Sequence, residues 1–153
     1  VPVNHHEYDD VGVWAQRHLH MCDHIAGWSK DPSSQFGCVL TDTLNRPIGH
    51  GINGFARGFK DTPERWNDRP FKYRHVIHAE ENALFNSVTS CDGAIAYVNG
   101  CPCSSCMSKL AQSRIAVVWC WEPSEDYLSR WSLDEPLQVA HECGIVVNFV
   151  KRQ

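Results

Sequence analysis

The chain reads as an α/β domain in which one sheet is covered on both faces by helices. Apolar runs of strand length recur five times, at 36–41, 48–53, 94–98, 115–120 and 145–150. Stretches with helical spacing or helix-start signals fall around them, giving the order α-β-β-α-β-α-β-α-β. The third observation is size: 153 residues, 42% hydrophobic and 21% charged, suit one globular domain. No repeat, low-complexity tract or linker divides the chain. Residues 1–153 are therefore read as a single domain, with 1–7 as a poorly ordered terminus.

Taken in order, residues 8–29 predict a helix, with Val13, Leu19, Ile25 and Ala26 marking its apolar face. His18, His20 and His24 lie near one another on it, and solvated polar positions are favoured over a metal face. Lys30-Asp31-Pro32-Ser33-Ser34 is a turn signal. Two strands follow as a hairpin, and Gly49 and Gly51 in the second suggest close backbone approach. Residues 53–77 show no periodicity. Six of the 14 basic residues lie between Arg57 and Arg74, so this long loop reads as functional. A helix starts near residue 79, another runs from Cys103 to about Ser113, and residues 124–132 form an aromatic-bearing loop. Leu133–Cys143 predicts a helix ended by Gly144 as a C-cap.

Two short pieces carry the chemistry: His78-Ala79-Glu80 and Pro102-Cys103-Ser104-Ser105-Cys106. Together they read H-x-E … P-C-x-x-C, the layout a zinc-dependent nucleobase deaminase needs. His78, Cys103 and Cys106 offer three zinc ligands, which leaves a fourth position for a water whose pKa zinc lowers to about 7. Glu80 is the carboxylate that takes the water proton and delivers it to the ring nitrogen and leaving amine. Cys103 and Cys106 share one face of a helical first turn, where thiolates are favoured. His78 and Glu80 point about 200° apart on a helix, so they converge only where a loop runs into one. H-x-E alone is weak, since His5-His6-Glu7 also fits it. C-x-x-C alone also suits a redox pair or a structural zinc knuckle. The ordered combination is the specific signal. Cys101 is a rival ligand, disfavoured because Pro102 and the helix start select the later pair.

The net charge of −4 gives the molecule no general polyanion-binding character. No apolar run approaches the roughly 18 residues of a membrane span, and residues 1–6 lack signal-peptide regions. Eight cysteines invite a disulfide reading. Cys38 and Cys120 sit in apparent buried strands, however, and a reducing cytoplasm fits best.

Five stretches then bring a family into view: Trp28–Ser34, Gly51–Gly58, Lys72-Tyr73 leading to His78–Ala83, the Pro102–Cys106 box, and the final α-β pair. Over residues 12–150 the chain resembles the deoxycytidylate (dCMP) deaminases of the cytidine deaminase superfamily. The resemblance implies a three-layer α-β-α fold with a five-stranded mixed sheet. It implies one catalytic Zn2+ held by His78, Cys103 and Cys106, with Glu80 as proton shuttle, and hydrolysis of dCMP to dUMP plus ammonia. Asn53 matches the family position near the sugar, and Ala79 the position whose backbone helps hold the pyrimidine. Many members are homo-oligomers, often hexamers, regulated by dCTP and dTTP with Mg2+ accompanying the triphosphate. The chain departs from the pattern at Ala56, where proline is usual, at Cys101, and in lacking an extra cysteine-histidine zinc site within 57–77. A 5′-phosphate needs cations, and Arg57, Arg65, Arg69 and Lys72 are the candidates.

Two rivals belong to other classes. A nucleic-acid deaminase, acting on tRNA adenosine or single-strand cytosine, uses the same two boxes, but the net charge of −4 and the lack of a basic tail weigh against polynucleotide binding. A zinc-stabilised interaction module has no need of a carboxylate two residues from its histidine. Within the enzyme class, a modified deoxycytidylate or a triphosphate stays open as substrate.

Overall fold

The computed structural model describes residues 2–153. Six strands form one mixed sheet: β1 (Asn4–His6), β2 (Gly37–Thr41), β3 (Pro47–Ile52), β4 (Ile95–Val98), β5 (Val117–Trp121) and β6 (Val146–Val150). Their spatial order is β1-β6-β5-β4-β2-β3. Strands β4, β5, β6 and β1 run parallel, and β2 and β3 are added antiparallel at the β4 side. The described residues also form seven α-helices: α1 (Val13–Ala26), α2 (Pro63–Asn67), α3 (Arg69–His75), α4 (Ala79–Phe85), α5 (Ser104–Gln112), α6 (Glu125–Arg130) and α7 (Asp134–Cys143). None is long and apolar enough to cross a membrane.

Strand alternation sorts the core into two layers. Cys38 and Leu40 of β2, Ala96 and Val98 of β4, Val118 and Cys120 of β5, and Val147 and Phe149 of β6 face α4, α5 and α7. Val39, Tyr97, Trp121 and Val150 face the other way, onto Ala15, Leu19, Cys22 and Ile25 of α1. The three-layer α-β-α fold is thus the one expected, with a sixth strand. The extra strand lies in the terminus expected to be poorly ordered. Its partner is far away in sequence: the buried Asn148 Oδ1 accepts from His6 Nε2 (2.9 Å) and from Asn4 Nδ2 (3.2 Å).

Other boundaries also move. The helix expected over 8–29 is a 3-10 turn at Tyr8–Asp10 followed by α1. Residues 53–77 are not one irregular loop, because Thr62 and Asp68 each cap a short helix by accepting from the backbone N–H groups of Arg65 and Phe71. Ser124 caps α6 in the same way, within the stretch read as loop. Gly144, at φ 78°, ends α7 as its sequence position predicts.

Candidate metal and catalytic site

Helix α4 can reach its place only because β3 carries glycines. A Cβ on Gly51 would run into Ala83 N and lie 2.6 Å from Ala79 O, and one on Gly49 would lie 2.8 Å from Ala83 O. Ala79 and Ala83 are themselves fully buried, so small residues face small residues. Along the outer side of β3, three backbone carbonyls are taken up. Ile52 O accepts from Asn82 Nδ2 (2.7 Å), His50 O from Asn86 Nδ2 (2.9 Å), and Ile48 O from Val88 N (2.9 Å). An edge that would otherwise recruit another strand is therefore partly closed, and α4 is fixed in register on it.

His78 is the N-cap of α4, in extended conformation at φ −76° and ψ 158°. Glu80 is in the first helical turn. The loop-to-helix junction therefore lets both side chains converge, as their spacing requires. Cys103 is the N-cap of α5 and Cys106 lies in its first turn; the buried Pro102 precedes them. The loop leading there from β4 is held by Asn99, whose Oδ1 accepts from Gly37 N (2.9 Å) and whose Nδ2 donates to Gln35 O (3.1 Å).

The His78 Nδ1 and the two sulfurs lie within 4.8 Å of one another. Nδ1 is 3.2 Å from Cys106 Sγ and 3.7 Å from Cys103 Sγ. Tetrahedral zinc, with ligands at about 2.0–2.3 Å, sets neighbouring donors roughly 3.5–3.8 Å apart. One imidazole and two thiols at these distances fit zinc. Hydrogen bonds from the Cys106 thiol and from His78 pull the Cys103 thiol well down, so it is the readier thiolate. The same contact with Cys103 pushes Cys106 up, with burial adding to the shift. His78 is raised, chiefly by its bond to Cys103. Among the described residues this is the only cluster of three such donors. Cys101 is outside it, with its Sγ turned to Pro102 O at 3.7 Å. His18 and His20 bond instead to Asn45 O (3.2 Å) and Tyr8 OH (2.8 Å).

Glu80 is buried at 6% exposure. Burial raises its carboxyl to about 7, against a backbone N–H and the His78 charge, which lower it. A carboxyl that gains and loses a proton near neutrality is suited to proton transfer. Tyr127 of α6 is raised first by burial and then by the Cys101, Cys103 and Glu80 charges, so the residues after β5 lie near the donor set.

The remaining predicted residues separate into two groups. Asn53 is buried, and its amide is used within the fold: Nδ2 donates to Asp31 Oδ2 (3.2 Å) and Ser34 O (2.8 Å), and Oδ1 accepts from Phe36 N (2.9 Å). Lys72 Nζ lies 2.8 Å from Asp31 Oδ1 in a largely buried ion pair. Arg65 lies over the rings of Phe59 (4.4 Å) and Phe71 (5.2 Å) and donates to Lys60 O (3.0 Å). Arg57 and Arg69 are exposed, and neither makes an ion pair or side-chain hydrogen bond among the described residues. Sequence reasoning missed Asp31 as the partner of Lys72. Its local signal is Asp31-Pro32-Ser33-Ser34, in which Asp31 Oδ1 also accepts from Ser33 N (2.8 Å) and Ser34 N (3.2 Å). It also missed the Phe55, Phe59, Trp66, Phe71 and His75 ring cluster, in which Phe55 stacks on Trp66 at 4.2 Å.

The family described as the cytidine and deoxycytidylate deaminase zinc-binding region matches residues 13–122. An uncharacterized deaminase of Aliivibrio fischeri is 38% identical over 132 residues, covering 86% of this chain and 87% of that protein. A probable deoxycytidylate deaminase of Caenorhabditis elegans is 36% identical, covering 76% of this chain and 61% of its own length. The deoxycytidylate deaminase of Homo sapiens is 34% identical, covering 72% and 65%. The chain thus spans a little under two thirds of these two relatives. The structure of a dCMP deaminase from the cyanophage S-TIM5, in complex with dCMP and dUMP, superposes with a TM-score of 0.71 at 22% identity, covering 90% of this chain and 95% of that one.

Proposed function

We propose, from the premise that the chain belongs to the cytidine and deoxycytidylate deaminase zinc-binding family, that it hydrolyses dCMP to dUMP and ammonia. The observation that most supports this reading is the clustered His78, Cys103 and Cys106 donors together with a buried Glu80 carboxyl on which the His78 and Cys103 charges act. His78 Nδ1 and the two sulfurs would hold Zn2+. When bound there, the metal supplies an acidified water at neutral pH.

The chain's own residues do the rest. Glu80 accepts one proton from the attacking water and gives it to the ring nitrogen next to the amine-bearing carbon, then takes the second from the oxygen newly bonded to that carbon and gives it to the amine, which departs as ammonia. Burial keeps bulk water from competing for those protons. The backbone at Ala79 holds the pyrimidine, and Asn53, locked by Asp31, Ser34 and Phe36, shapes the sugar end. The 5′-phosphate goes to Arg57 and Arg69, the members of the predicted basic set that have neither an ion pair nor a side-chain hydrogen bond among the described residues. Lys72 and Arg65 are reassigned to holding the 53–77 segment in place. Residues 1–153 act as one domain. Further proposals are regulation by dCTP and dTTP with Mg2+, a homo-oligomer of hexameric type, and a cytoplasmic site; they follow the family resemblance, and eight free thiols accord with a reducing compartment.

A side-by-side rate assay on dCMP, deoxycytidine, dCTP and a cytosine-containing oligonucleotide tests the proposal, with ammonia release as readout. Turnover of dCMP well above the other three is the expected result. Turnover confined to the oligonucleotide moves the chain to the nucleic-acid class. No turnover on any of them by zinc-replete protein overturns the dCMP reading.

A further inference from the structure

The three donors come from two separate helices, so their spacing depends on how the ends of α4 and α5 are held together. One carboxylate touches both. Glu81 Oε1 accepts the backbone N–H of His78 at 3.0 Å, closing the first turn of α4 on the residue that carries the imidazole. Glu81 Oε2 accepts from Lys109 Nζ at 2.7 Å. Lys109 lies three residues after Cys106, one turn further along α5. The path His78 N–H, Glu81, Lys109 therefore joins the imidazole-bearing residue of α4 to the thiol-bearing helix α5. Neither Glu81 nor Lys109 is a member of the donor cluster.

We propose that Glu81 and Lys109 are positioning residues that hold the His78 donor at zinc-binding distance from Cys103 and Cys106. The inference rests on the zinc reading of this site, and it concerns metal binding rather than the substrate. The pair adds little to fold stability, because Lys109 is 48% exposed and such ion pairs contribute little. Its effect falls on the metal, because residues that orient ligands change affinity by about 10–100-fold when removed.

The test measures zinc affinity by competition with a chromophoric chelator, and records the cobalt-substituted absorption spectrum, for native protein, Glu81→Leu, Glu81→Gln, Lys109→Met, Lys109→Arg and Glu81→Leu/Lys109→Met. Glu81→Leu, which loses both bonds, is expected to weaken zinc by about 10–100-fold and to shift the cobalt bands. Lys109→Met and Glu81→Gln, which lose only the inter-helix tie or its charge, should fall between it and native. Lys109→Arg should restore native affinity. The double variant should bind no more weakly than Glu81→Leu alone, because Lys109 acts through Glu81. The exposed Lys109 position keeps the test valid if Glu81→Leu folds poorly. Native-like affinity and spectra in both Lys109→Met and Glu81→Gln overturn the proposal, as do additive losses in the double variant. Native protein that binds no zinc overturns the site reading itself. Native protein that binds zinc but leaves dCMP untouched overturns only the substrate.

Discussion

The donor junction and the 53–77 segment adjoin in sequence, yet they are built in opposite ways. At the junction, helix-start geometry organises the groups: His78 and Glu80 by a loop turning into α4, Cys103 and Cys106 by the first turn of α5. In the 53–77 segment the organising contacts are long-range or aromatic. Lys72 pairs with Asp31, 41 residues away, and Phe55, Phe59, Trp66 and Phe71 form a small core of their own. The difference shows why the same residue type has different meanings in the two regions. A cysteine pair at a helix start is readable as a candidate ligand set once an H-x-E box accompanies it. A lysine in a basic loop is not readable as a phosphate contact until its partner is known.

Glu80→Gln tests the junction most severely. It preserves size and burial but removes proton transfer, so turnover should drop by roughly 10²–10⁴-fold. Metal analysis should find zinc content unchanged, since Glu80 is outside the donor cluster. A variant that turns over at the native rate would mean that proton transfer is organised elsewhere, and the junction would lose its role.

Two lysines give the next test. Lys72–Asp31 is nearly buried, at 12% and 3% side-chain exposure, whereas Lys109–Glu81 stands at 48% and 19%. Lys72→Met strands a buried carboxylate and should cost about 3 kcal/mol by denaturant unfolding. Lys109→Met should cost under about 1 kcal/mol. Equal, small losses would mean that the aromatic cluster, not the ion pair, carries the 53–77 segment.

The same contrast accounts for what the sequence made legible. Strands β2 to β6 follow from apolar runs of strand length, and the grouping of His78, Cys103 and Cys106 follows from fixed motif spacings. The glycines of β3 correctly signalled close approach, because only a missing Cβ admits the α4 backbone there. What stayed hidden depends on tertiary partners. Strand β1 is polar and three residues long, and it pairs with the distant β6, where Asn148 Oδ1 accepts from the His6 and Asn4 side chains. Helices α2, α3 and α6 are five to seven residues long, too short for helical periodicity to show, and their local signs were the caps Thr62, Asp68 and Ser124 and the prolines Pro63 and Pro70 in the first turns of α2 and α3. Of the four basic residues assigned to phosphate, two already have other partners.

Those four also supply the finer tests. Arg57→Ala and Arg69→Ala should each lower kcat/KM for dCMP by roughly 10–100-fold, the loss expected for one charge-assisted hydrogen bond to phosphate. Deoxycytidine, which has no phosphate, should be turned over as before by both variants. If both leave the dCMP to deoxycytidine preference intact, the phosphate is held by backbone amides or by residues outside this segment.

Arg65→Leu should have the smallest effect and the opposite pattern. Its guanidinium lies 4.4 Å from the Phe59 ring centroid and 5.2 Å from that of Phe71. Such contacts are worth about 0.5–1 kcal/mol where solvent reaches them. Leucine keeps apolar cover over the rings but loses the charge and the bond to Lys60 O. A loss of stability within that range, with the dCMP to deoxycytidine preference unchanged, assigns Arg65 to the aromatic core of the segment. A fall in that preference without loss of stability would return Arg65 to the phosphate. The segment would then resemble the junction, with its charged side chains turned toward the ligand rather than toward the fold.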